Sequence, residues 1–150
     1  MQRFKGGVAG EGDSDAQRRQ VRLATAAILL DIAYADGTFT PAEDGDIVGY
    51  LKRGFALDDD AARELLQAAN EIRGHTIDHF ALTNFIRKNA SLEERIEIVR
   101  TMWRIAFSDG TLTDYEHYLV RKLADLLGLE HHVMIGAKVG VLEEMGRATR

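Results

Sequence analysis

Residues 35–43 read ADGTFTPAE and residues 108–116 read SDGTLTDYE. The shared pattern is Asp-Gly-Thr-apolar-Thr-x-x-Glu, and Thr40 and Thr113, like Glu43 and Glu116, stand 73 positions apart. The likeness extends upstream, where Ile32-Ala33-Tyr34 matches Ile105-Ala106-Phe107, and downstream, where Ile47 matches Val120 and Tyr50 matches Leu123. Gly37 and Gly110 follow an apolar helical run and can take the left-handed conformation that ends a helix. Thr40 with Glu43, and Thr113 with Glu116, have the spacing of a capping box, in which two exposed N–H groups of a new helix are satisfied reciprocally. Phe39 and Leu112 stand just ahead of the caps, where an apolar side chain staples the chain to the next turn. Each copy therefore reads as helix, tight turn, helix. Used twice, it decides for an all-α fold.

The rest of the chain agrees. Pro41 is the only proline, and no β-branched alternation interrupts the helical period. Residues 1–13, rich in Gly and polar side chains, read as a flexible tail ahead of a domain spanning 14–150. Ser14 with Gln17 has capping-box spacing and is expected to open the first helix, which is apolar on most faces around Ala24–Ile32 and so belongs at the centre. The second helix is expected from Thr40 to about Gly54, and the third from an Asp58 cap to about Gly74. The fourth is expected from Thr76 to Asn89, with Ile77, Phe80, Phe85 and Ile86 inward. Ser91 with Glu94 should start a fifth helix to about Phe107, its stripe Ile96, Val99, Trp103 and Ala106 forming core. A sixth spans Thr113–Leu127 and a seventh about 131–145. The architecture expected is about seven helices in one bundle-like domain on two pseudo-symmetric helix-loop-helix units, 28–57 and 101–129. A pseudo-twofold arrangement would bring the two loops near each other.

Composition narrows function by exclusion. Hydrophobic residues at 45% and charged residues at 29% are ordinary for a globular chain of 150 residues. With no cysteine there are no disulfides, thiolate metal sites or cysteine nucleophiles. No apolar run approaches the roughly 20 residues that span a bilayer, and the N-terminus lacks the apolar stretch of a secretory signal. No transmembrane segment and a cytoplasmic location are the expectation. The net charge of −5 argues against nucleic acid as a partner, and Arg18, Arg19 and Arg22 read as a solvated helix face.

The repeated loop admits two readings. Turn formation alone explains every repeated position except the aspartates, which can also support the loop backbone. The other reading is a metal. An Asp-Gly with Glu seven positions after the Asp matches the second half of a calcium-binding EF-hand loop. The first and third positions of such a loop would be Ile32 and Tyr34, or Ile105 and Phe107, which cannot ligate calcium, so neither copy is an EF-hand. Asp36 and Glu43, or Asp109 and Glu116, could still hold a hard divalent cation, Ca2+ or Mg2+, with carbonyls, hydroxyls and water. On the residues alone the capping reading is the simpler. His75 and His79 have i, i+4 spacing, but no Glu follows as in H-E-x-x-H and Gly74 marks a boundary, so surface or capping roles are simpler than zinc. The adjacent His131 and His132 point to different faces. No phosphate-binding loop, dinucleotide fingerprint or nucleophile elbow occurs, so no catalytic residue or organic cofactor is assigned.

The duplicated [AS]DG-x-x-[TD]-x-x-E loop resembles the tellurite-resistance protein TerB family, which also includes the N-terminal region of the DjlA type of membrane-anchored co-chaperone. The likeness covers about residues 20–138 and is most specific in MWRIAFSDGTLTDYEHYLVRKLADLLGL, with ASLEERIEIV before it. It is closest to small stand-alone bacterial members. The resemblance implies an all-helical bundle, metal binding at Asp36, Glu43, Asp109 and Glu116, and protein partners in tellurite or chemical stress at the inner membrane face. The second loop has Thr111 and Thr113 where TerB is more acidic, and no His-Pro-Asp triplet of a J-domain is present. The alternative is a metal-free interaction or dimerisation scaffold, a possible homo-oligomer, whose loops are only helix caps.

Overall fold

Seven α-helices and no strand occupy the described residues of the computed structural model, which are 11–35, 40–75, 78–108 and 112–148; the side chains of 11–14, 42, 74–75 and 147–148 are not described. In chain order the helices are α1 (Glu11–Ala33), α2 (Pro41–Phe55), α3 (Asp59–His75), α4 (His79–Asn89), α5 (Leu92–Phe107), α6 (Asp114–Leu126) and α7 (His131–Ala148). No helix among them is long and apolar enough to cross a membrane.

The apolar run in α1 sets the architecture. Ala26, Ala27, Ile28, Leu29 and Ile32 are fully buried, so the second half of this helix is covered all round. Its alanines let neighbours approach closely, and α2, α3, α4, α5 and α6 all pack on it. The second centre is α5, which touches α1, α2, α6 and α7. Its Val99, Trp103 and Ala106 are fully buried, with Ile96 partly covered beside them. Each such aliphatic side chain contributes roughly 1.5–3 kcal/mol by leaving water.

Equivalent positions of the two units have matching burial. Ile32 and Ile105, Ala33 and Ala106, and Ile47 and Val120 are all fully buried, and Tyr50 and Leu123 are buried as well. The helices that follow the two loops, α2 and α6, both pack on α1 and α5.

Several expected boundaries move. α1 begins at Glu11, so Ser14 lies within the helix and its box with Gln17 does not open it; residues 11–13 are helical rather than tail. α2 runs past Gly54, and Ala56 takes the left-handed capping conformation at φ 55° and ψ 46°. α4 starts later than expected because Asp78 caps it, its Oδ1 accepting from Ala81 N at 3.1 Å. Phe80 then faces outward, 65% exposed, while Leu82 packs on the core and Thr83 and Ile86 are fully buried. Phe85 is partly covered, and Thr76 and Ile77 lie outside the described residues. α7 continues beyond 145, to Ala148.

Candidate functional site

Among the described residues three capping boxes are complete. At α2, Thr40 N donates to Glu43 Oε1 at 2.8 Å and Glu43 N donates to Thr40 Oγ1 at 3.1 Å. At α6 the equivalent bonds join Thr113 and Glu116 at 3.0 Å each. At α5, Ser91 N donates to Glu94 Oε1 at 2.7 Å and Glu94 N to Ser91 Oγ at 3.1 Å. The backbone role is the same in all three; the surroundings are not. Glu94 is exposed, whereas Glu43 and Glu116 are each 1% exposed. A carboxylate taken from water is costly unless charge or hydrogen bonds compensate it. Capping alone does not require that burial, as Glu94 shows.

The chain enters both loops tightly. Ala35 N bonds Ile32 O at 3.1 Å, and Ser108 N bonds Ile105 O at 3.2 Å. Asp36, Gly37 and Phe39 of the first loop, and Asp109, Gly110 and Thr111 of the second, lie outside the described residues. Leu112 is partly buried against the core. Among the described residues no group of three or more His, Asp or Glu side chains is placed to hold a metal. Of the four sequence-derived ligands only Glu43 and Glu116 are described, and each offers carboxylate oxygens, the donor type a hard cation takes.

The two copies differ in what braces them. Asp31, on the last turns of α1, lies 2.6 Å from His79 Nε2 and 3.3 Å from Arg73 Nη2. A carboxylate only accepts, so the His79 ring N–H donates. Arg73 also stacks over the Tyr34 ring at 4.6 Å. These contacts tie the α3–α4 corner to the helix end that feeds the first loop. His75 ends α3 and His79 opens α4, so the pair spaced i, i+4 does not share a helix. In the second copy Arg104 takes the place of Asp31 and pairs with Glu144 of α7, which also receives Arg100. Burial alone would raise the Glu144 pKa, but the hydrogen bond and charge of Arg104, with Arg100, hold it below the usual range.

Just past Glu116, His117 lies 5.5 Å from the ring of Trp103, the sole tryptophan, and its Nε2 is 3.1 Å from Lys138 Nζ. Lys138 also sits over the Trp103 ring at 5.4 Å. Desolvation, then Lys138 and Arg121, lower the His117 pKa against the opposing effect of Asp114. Lysine is a donor only, so it is the neutral imidazole that accepts. On α2, burial raises the Asp46 pKa in spite of Arg104 and Arg53 nearby. Asp31, Arg73, His117 and Lys138 are not marked in the sequence by any motif, because their partners come from distant helices.

The family model for tellurite resistance protein TerB matches residues 22–139, from within α1 to within α7 and across both acidic loops. Neither a curated protein nor a solved structure matches the chain. With seven helices among the described residues, a twice-used capped helix start and that match over most of its length, the chain belongs to the TerB family of tellurite-resistance proteins.

Proposed function

We propose that this protein is a non-catalytic module that holds a divalent cation, Ca2+ or Mg2+, at its acidic loops through Asp36 with Glu43 and Asp109 with Glu116. Loaded in this way, it engages protein partners in the cytoplasm, at the inner membrane face, during tellurite or related chemical stress. The observation that supports this reading is the burial of Glu43 and Glu116 beside an exposed Glu94 with the same capping role. A carboxylate held inside a loop end, with an aspartate seven positions earlier in sequence, is the donor chemistry a hard cation takes. Family membership supports the stress setting.

A metal-free scaffold is the second reading, favoured by the completeness of both caps without any ion. Thermal melts separate the two. Wild type, Asp36→Asn and Asp109→Asn are compared in chelator and in each metal. Cation binding predicts a gain of about 2.7 kcal/mol for wild type at a hundredfold excess over Kd, and its loss in the variants. Their metal-free melting points should barely change. If metal shifts all three proteins equally, or none, these aspartates are not ligands and the scaffold reading takes over. Light scattering then tests whether the chain self-associates.

A further inference from the structure

A second candidate site begins at the first turn of α6, next to Glu116 in sequence, and extends along that helix. An open groove of about 530 Å³ runs between α6 and the start of α7. That volume is within the roughly 300–1,000 Å³ of small-molecule pockets. Leu129 and Met134, 5% and 4% exposed, line it with apolar surface, and the phenol of Tyr118 stands in the same groove 58% exposed. Arg121, Lys122 and His131 line it too. Arg121 and Lys122 are exposed, and neither forms an ion pair among the described residues, although Asp114 and Asp125 border the same space. Lys138 is not in the lining but hydrogen-bonds the lining residue His117.

We infer that this groove binds a small soluble organic anion, an aryl or alkyl group carrying a phosphate or carboxylate. The apolar body would lie on Leu129 and Met134 against the Tyr118 ring, where stacking and burial favour it. The anionic head would meet Arg121 and Lys122, the guanidinium offering a planar fork to its oxygens. The inference goes beyond the cation reading and does not depend on it.

Phenyl phosphate titrated into the isotopically labelled 150-residue chain tests it by amide chemical shifts, in chelator so that loop metal plays no part. Saturable shifts centred on residues 114–134 are expected, with inorganic phosphate and benzyl alcohol each binding more weakly. Arg121→Ala with Lys122→Ala should weaken binding about tenfold, the effect of losing two partly screened charges. Asp114→Asn with Asp125→Asn should strengthen it, a gain that misfolding cannot mimic. Arg19→Ala, an exposed cation on α1, should leave it unchanged. Non-saturating shifts, shifts centred elsewhere, or indifference to both double variants would overturn the proposal. So would binding to phosphatidylglycerol vesicles without any saturable response to phenyl phosphate.

Discussion

A glutamate three residues beyond a threonine or serine can close a helix from the water side or from inside. Glu94 does the first, Glu43 and Glu116 the second. The caps themselves were readable because a capping box is a contact within four consecutive residues. Burial of the carboxylates was not, since it depends on how α2 and α6 seat against α1 and α5. Ala56 makes the same distinction at a C-terminus. Sequence placed the end of α2 near Gly54, yet the left-handed residue is an alanine two positions on. A Cβ in that conformation costs roughly 1–2 kcal/mol. Ala56→Gly should therefore stabilise the protein by about 1 kcal/mol, read as a higher denaturation midpoint with an unchanged slope. The variant Gly54→Ala offers no such gain, because its new Cβ would stand 3.2 Å from the Tyr50 ring.

Between elements, the seam of α5 and α7 carries charge as well as apolar contact. Glu144 receives both Arg100 and Arg104, and its side chain is still 41% exposed. Solvent screening therefore limits Glu144→Gln to a loss of about 1 kcal/mol at neutral pH. The sign with pH follows from a folded-state pKa held below the ordinary 4.5. The contribution is fully present above the unfolded value and disappears as pH falls through the lower folded one. Wild type and Glu144→Gln should thus converge in stability in acid, which pH-resolved denaturation will show. The glycines of α7 probe the same seam. Gly136 has open space where a Cβ would go, while at Gly140 that Cβ would stand 2.8 Å from Arg100 Nη1. Gly136→Ala should stabilise by roughly 0.5–1 kcal/mol, and Gly140→Ala by less, since Arg100 must shift away from Glu144. None of this pairing was legible in sequence. Periodicity located both helices, but the turn from Leu127 to Glu130 decides which faces meet. The same limit explains α4, where one cap at Asp78 turned Phe80 outward despite its apolar character.

At the scale of the molecule, α1 is the hub through which α2 to α6 contact a shared core. A cut in that core should be felt everywhere. Leu29 is fully buried in it, so Leu29→Ala should cost about 3 kcal/mol and lower the whole transition without splitting it. Coincident midpoints by circular dichroism and by hydrogen exchange in α7 check this, and separate midpoints would show that the seam of α5 and α7 melts as its own unit. The centrality of α1 was legible because apolar residues cover most of its faces around Ala24–Ile32. The seating of α6 against α7, which forms the groove, was not. Trp103 stands at that junction with no exposed surface, stacked on Phe107 at 5.9 Å and flanked by His117 and Lys138. As the sole indole of the chain, it makes the protein its own optical gauge. Its emission should lie toward the blue in the native state, as for any indole shielded from water. Phe107 leads into the second acidic loop and His117 lines the groove. An ion captured at one or an anion at the other would therefore alter the brightness of this single fluorophore, with no label attached.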